Sequence, residues 1–226
     1  MIRAVLFDLD GTLLDRDQSV RNFIDGQYER MINLLGHIPK QVYTTRFLQL
    51  DSHGYVWKDK VYQQMVEEFS IELPWGKLLE DYIYEFKHSC IAFPNLIQML
   101  EELKDKSIRM GIITNGKGQF QLDNIRALGI ENYFNPILIS EWEKLKKPDP
   151  LIFHKALNQL GAKPDETIFV GDHPENDIRA AANVGMKTIW KKNDLREDVQ
   201  AIHTINDLME ITKAVEIENH EKGANL

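Results

Sequence analysis

Cysteine is almost missing from this chain: Cys90 is the only one in 226 residues. A single thiol excludes an intrachain disulfide and leaves no thiolate cluster for zinc or iron–sulfur, so Cys90 reads as a small buried hydrophobe. Long apolar runs are missing too, and no segment is expected to span a membrane. The chain enters its first apolar run at Ile2 without a basic, then apolar, then small-residue leader, which makes a cytoplasmic protein the expectation. Positive charge is not in excess either. With 27 Lys and Arg against 35 Asp and Glu the net charge is −8, so the global field gives nucleic acid no general attraction. Any phosphate site has to be built locally.

What remains is the composition of a globular protein, 43% hydrophobic and 27% charged. The length exceeds a typical domain and falls short of two, which suggests one domain carrying a sizeable insertion. The run Ala4-Val-Leu-Phe-Asp8-Leu-Asp10-Gly11-Thr12 has the pattern of a buried parallel strand that ends in two carboxylates and a tight turn. In a parallel α/β sheet the carboxyl ends of strands face the ligand crevice. A carboxylate there can attack phosphorus or bind Mg²⁺, although alone the segment reads equally well as a strand-ending turn without chemistry.

From about Val20 to Ser89 strand patterns are absent and helical spacing dominates. Phe23, Tyr28, Met31, Leu34 and Leu35 fit one helix face closed by Gly36, and Val61, Met65, Val66 and Phe69 fit another. Pro74 can open a third helix, with Leu78, Leu79, Tyr82, Ile83 and Phe86 on its apolar side. Residues 15–93 are therefore expected to form an all-helical insert, whose Tyr43, Phe47, Tyr55, Trp57, Tyr62 and Trp75 serve packing more than ligand contact.

From Pro94 onward helices and strands alternate, as in a doubly wound sheet. Arg109–Thr114 reads as a strand that ends in Thr114-Asn115-Gly116-Lys117-Gly118. That turn could gather backbone N–H groups and a hydroxyl around an anion, or be an ordinary loop. Pro136–Ser140 is a further short strand, followed by Lys146-Lys147-Pro148-Asp149-Pro150, in which prolines restrain the backbone around the lysines. A lysine in that loop could cover a phosphate, or simply be solvated. Thr167–Gly171 is the next strand and delivers Asp172 and, four residues after His173, Asp177. Carboxylates brought opposite Asp8 and Asp10 would make an oxygen-rich site suited to Mg²⁺. His173 is not read as a ligand. Thr188–Trp190 gives a last strand, one helix follows Ile205, and the tail from Glu216 is expected to fray.

Taken together, Asp8-x-Asp10-Gly-Thr12, Thr114-Asn115-Gly116, Lys147-Pro148-Asp149-Pro150 and Gly171-Asp172-x₄-Asp177 resemble the haloacid dehalogenase-like superfamily in order and spacing, specifically its Mg²⁺-dependent phosphatases. The resemblance covers Met1 to Leu14 and about Pro94 to Asp207. It implies an α/β fold, a doubly wound parallel sheet with a Rossmann-like core at 1–14 and 94–226, and an inserted all-helical cap domain at 15–93. It makes Asp8 the nucleophile that becomes an aspartyl phosphate, and Asp10 the acid and base. Asp10 also lends a backbone carbonyl to Mg²⁺. Thr114 and Asn115 would bind the transferring phosphate, Lys147 would offset its charge, and Asp8, Asp10 and Asp172 would hold the metal with Asp177 in support. In this family a small hydroxyl residue is frequent where His173 stands, and a glycine often precedes the lysine where this chain has Leu145-Lys146.

The implied partner is a small phosphorylated metabolite acted on by a monomer or homodimer, with neither nucleic acid nor membrane involved. A haloacid dehalogenase or a phosphosugar mutase of the same superfamily, and a catalytically idle binding protein, are the competing readings. Asp10 with Asp172 and Asp177 argues against metal-free halide displacement, because such a crowd of carboxylates calls for a cation.

Overall fold

The computed structural model describes residues 1–193 and 199–223. Its chain divides into two compact units, one formed by Met1–Asp15 with Ala92–Leu226 and the other by Arg16–Ile91.

Among the described residues the first unit is built on six parallel strands: β1 (Ala4–Phe7), β2 (Arg109–Thr114), β3 (Ile137–Ile139), β4 (Thr167–Gly171), β5 (Lys187–Lys191) and β6 (His203–Ile205). They lie in the order β3-β2-β1-β4-β5-β6. β1 and β4 are buried at every position. That is why their sequences are continuous apolar runs: helices cover both faces and no side needs polar residues. Each fully buried Leu, Ile, Val or Phe contributes roughly 1.5–3 kcal/mol by leaving water. The chain leaves β1 for β2 and β3 on one side, then crosses to β4 on the other, so the strand order reverses at β1. Such a switch point opens a crevice outside the carboxyl ends of the strands. Phe7 pairs with Ile112 and with Val170, and the Asp8 N–H continues the ladder onto the Val170 carbonyl at 2.9 Å. Asp8 and Asp172 are thereby delivered to the same end of adjacent strands.

β6 was not expected from the sequence. It is three residues long and includes His203 and Thr204, and its pairing with β5, Trp190 opposite Thr204, is what makes it a strand. The tail from Glu216 also differs from expectation, because one helix runs unbroken from Met209 to Gly223. Leu208 just before it and its own Ile211, Ala214 and Val215 are buried, and that apolar anchor holds the following polar turns in register. Residues 224–226 of that tail lie outside the described residues. Among the described residues no helix is long and apolar enough to cross a membrane.

The second unit is helical throughout, with its longer helices at Arg16–Arg30, Lys40–Asp51, Lys58–Phe69 and Trp75–Glu85. The first of these stops at Arg30, short of Gly36, and Leu34 is exposed on a separate turn. The centre is aromatic, with Phe23, Tyr43, Phe47, Tyr62 and Phe86 nearly inaccessible to solvent. A buried tyrosine needs a partner for its hydroxyl, and Gln27 supplies it. Its carbonyl oxygen accepts from Tyr43 at 3.2 Å and Tyr62 at 2.9 Å, while its amide donates to the Leu78 carbonyl at 3.0 Å. Of the six aromatics assigned to packing, Tyr43, Phe47 and Tyr62 are buried, whereas Tyr55, Trp57 and Trp75 are exposed. Cys90 is half-buried, not fully enclosed.

Candidate active site

β1 is followed directly by Asp8, a carboxylate that is only 7% exposed. Its Oδ1 accepts from Lys147 Nζ at 2.6 Å, and the same ammonium donates to Asp177 Oδ1 at 2.6 Å. Lys147 is 3% exposed and Asp177 fully buried, while Lys146 beside it stays exposed. The lysine is held from both sides. Asn115 reaches across from the end of β2, its Oδ1 accepting from the Lys147 N–H and its Nδ2 donating to the Lys147 carbonyl, each at 2.9 Å. On the other side the chain enters the helix Pro150–Leu160, where Pro150 stands at the first helical position and Asp149 Oδ1 accepts from the Leu151 N–H at 2.9 Å. Proline pre-sets the helical φ and the aspartate satisfies an orphan donor.

Asp172 follows β4 directly. Its Oδ2 accepts from Asn193 Nδ2 at 3.0 Å and its carbonyl from Trp190 Nε1 at 3.0 Å. Asp177 is fixed by the turn after it: its Oδ2 accepts from the His173 N–H at 2.9 Å. His173 has a clear local use. Its Nδ1 accepts from the Glu175 and Asn176 N–H groups at 3.1 and 3.2 Å, capping the π-helical turn Pro174–Arg179 as a small hydroxyl would. An accepting Nδ1 requires the proton on Nε2.

Charge is the central problem of this site. Burial pushes the Asp8 carboxyl well above the usual carboxylate range, Lys147 opposes that, and Asp177 and Asp172 push it further up. Burial also acts against the Lys147 ammonium, but Asp177 and Asp8 outweigh it and hold the lysine charged beyond its ordinary range. The Lys147 ammonium thus faces the two carboxylates Asp8 and Asp177, and Asp172 adds a third negative charge beside Asp8. Among the described residues Asp8, Asp172 and Asp177 form the group able to hold a metal ion, with one oxygen from each within 4.8 Å of the others. All donors are carboxylate oxygens and positive charge is short, which fits a hard divalent cation. The side chain of Asp10 is directed elsewhere: its Oδ2 accepts from Gln121 Nε2 at 2.6 Å.

The turn after β2 differs from a simple anion nest. The Gly116 N–H donates to Ser140 Oγ at 3.0 Å and the Gly118 N–H to Glu141 Oε2 at 2.7 Å, so both donors are already satisfied. Thr114 is fully buried; its Oγ1 accepts from Gln121 Nε2 at 2.7 Å, which leaves its own O–H to donate. The Asn115 carboxamide is committed to the Lys147 backbone, with one of its two amide hydrogens left over. Sequence reasoning missed Gln121 and Asn124, both buried and joined at 3.1 Å. Two amides spaced i, i+3 on the buried face of the helix Gly118–Ala127 were the available signal.

A doubly wound parallel sheet that gathers buried carboxylates and a lysine at its switch point defines an α/β protein with a carboxylate-centred site. The chain belongs to the haloacid dehalogenase-like hydrolase family, whose model matches residues 5–191. It is 29% identical to the glyceraldehyde 3-phosphate phosphatase of Pyrococcus furiosus over 96% of this chain and 95% of that protein. The protein of the same name from Methanocaldococcus jannaschii is also 29% identical, over 95% and 97%. Among solved structures, the haloacid dehalogenase-family phosphatase of Thermococcus onnurineus superposes with a TM-score of 0.67 at 29% identity, covering 95% of this chain and 98% of that one.

Proposed function

We propose that this hydrolase cleaves small phosphomonoesters, with Asp8 as nucleophile, Asp10 as acid and base, and Mg²⁺ as cofactor. The observation that carries the reading is the ammonium of Lys147 bonded at once to Asp8 and Asp177. A buried cation set beside a buried carboxylate at a strand end holds that carboxylate in place and offsets the charge of an incoming phosphoryl dianion.

In the first step an Asp8 oxygen attacks phosphorus in line, the phosphorus–ester oxygen bond breaks, and the leaving alkoxide takes the carboxyl proton of Asp10. In the second, the Asp10 carboxylate takes a proton from water while the water oxygen attacks the aspartyl phosphate. Phosphate leaves and the Asp8 carboxylate is restored. Lys147 and the Thr114 hydroxyl bind the transferring oxygens, and Asn115 acts mainly by holding the lysine loop. Asp8, Asp172 and the Asp10 carbonyl would hold Mg²⁺, with Asp177 in support. When bound, the cation supplies the positive charge that lets a carboxylate approach a phosphate dianion. The helical unit at 16–91 would serve as a cap and choose among substrates.

Substrate size follows the relatives. Both curated phosphatases cited above are named for a three-carbon phosphorylated aldehyde, so we place the substrate among small phosphorylated metabolites handled in the cytoplasm. The test is a panel of phosphomonoesters assayed for phosphate release with Mg²⁺, alongside Asp8→Asn. The wild type is expected to turn over several small esters and the variant to lose several orders of magnitude on all of them. Chloride release from a 2-haloacid without phosphatase activity would overturn the reading.

A further inference from the structure

We infer that Gln121 is a positioning residue for the acid–base step, holding Asp10 so that only one of its oxygens can exchange a proton with the substrate. The inference rests on the phosphatase reading above and adds to it a side chain that the sequence motifs do not contain.

Gln121 lies on the helix Gly118–Ala127 and is 2% exposed. Its Nε2 donates to Asp10 Oδ2 at 2.6 Å and to Thr114 Oγ1 at 2.7 Å. Its Oε1 accepts from Asn124 Nδ2 at 3.1 Å, so the amide cannot be turned over without setting two nitrogen donors against each other. Both hydrogens of Nε2 are therefore assigned, one to the acid–base carboxylate and one to the phosphate-binding hydroxyl. Room for this arrangement is made by Gly116, where a Cβ would sit 2.6 Å from Gln121 Cγ.

The chemical consequence follows from donor and acceptor roles. In a protonated carboxyl the carbonyl oxygen accepts an N–H far better than the hydroxyl oxygen does, so the short bond from Gln121 Nε2 to Oδ2 selects Oδ2 as the carbonyl and places the acid hydrogen on Oδ1. That oxygen protonates the leaving alkoxide as the ester bond breaks, and the same oxygen takes the proton from water when the aspartyl phosphate is hydrolysed. Gln121 keeps the carboxyl group from rotating between the two steps. Through Thr114 it also fixes the direction of the hydroxyl hydrogen, since an oxygen that accepts from the amide must point its own O–H elsewhere.

The experiment compares the wild type with Gln121→Met, which keeps the length and loses every hydrogen bond, and with Gln121→Asn, which keeps the amide and loses reach. Two substrates are used: 4-nitrophenyl phosphate, whose leaving group departs without a proton, and the alkyl phosphate that the wild type turns over fastest. For both variants kcat/KM on the alkyl ester should fall about a hundredfold, and on the nitrophenyl ester by less than about fivefold, the smaller loss measuring the Thr114 contact. A burst of nitrophenolate should precede slow turnover, because hydrolysis of the aspartyl phosphate still needs Asp10 as base. Circular dichroism and thermal melting establish that each variant is folded, and either folded variant suffices. Equal losses on the two esters without a burst would overturn the inference and leave the phosphatase reading intact. A wild type that releases phosphate from neither ester would overturn both.

Discussion

Gly11 and Asp172 lie so close that no side chain fits between them: a Cβ on Gly11 would stand 2.7 Å from Asp172 Oδ2 and 2.8 Å from its Cγ. Gly11 also has φ +81°, a conformation that other residues reach only at a cost of about 1–3 kcal/mol. Gly11→Ala should therefore push Asp172 out of place. The expected result is a half-saturating Mg²⁺ concentration raised by about tenfold, equivalent to about 1.4 kcal/mol. Titration of activity with Mg²⁺ checks it, and an unchanged midpoint would show that the turn relaxes without moving the aspartate.

Lys147→Met removes the cation shared by Asp8 and Asp177. Breaking a buried ion pair by deleting one partner destabilises by roughly 3–5 kcal/mol, because the charges left behind are uncompensated. Denaturant unfolding should show that loss, and added Mg²⁺ should recover part of it. Phosphate release should stay low even where stability recovers, since in the proposed mechanism the lysine also binds the transferring group.

A cation that fits the Asp8, Asp172 and Asp177 cluster should stabilise the folded chain. A ligand at a hundred times its dissociation constant adds about 2.7 kcal/mol. Chelation should abolish activity and lower the melting temperature, and Mg²⁺ should restore both in the wild type. Asp172→Ala should melt at the same temperature with and without Mg²⁺. Full activity in chelator would remove the cation from the reading.

The helical unit holds a buried carboxylate in Asp51, which is 2% exposed. Burial acts to raise its pKa, but Arg16 and Lys58 outweigh burial and hold the carboxyl below the usual carboxylate range. Arg16 Nη2 donates to it at 2.9 Å, the Gly54 N–H at 3.0 Å, and Lys58 Nζ also bonds to it. A depressed folded pKa means that the unfolded chain takes up the proton first as pH falls. The stability that Asp51 contributes is complete above the ordinary carboxylate pKa and is lost as pH drops through it toward the lower folded value. Asp51→Asn should destabilise the unit at neutral pH and flatten its acid denaturation below about pH 4. Helical circular dichroism against pH for the two proteins tests the sign.

The sequence determined where chemistry could sit, because strand ends are local patterns. An apolar run that stops at Asp8, another that stops at Thr114 and a third that stops before Asp172 each announce a strand and its terminal polar residue within about ten positions. The helical character of the insert was legible for the same reason, through spacing at 3.6 residues per turn. Only the tertiary structure decided which groups meet. Lys147 bonds to Asp8 from 139 positions away and Gln121 to Asp10 from 111. The choice of Lys147 over the exposed Lys146 depends on Asn115 gripping its backbone from another strand end. β6 and the ordered turns after Glu216 were hidden likewise, since a short polar strand and a polar helical tail acquire their structure from the neighbours they pack on. Periodicity and turn chemistry are properties of neighbouring residues, whereas burial of a charge and the pairing of its hydrogen bonds are properties of the folded neighbourhood.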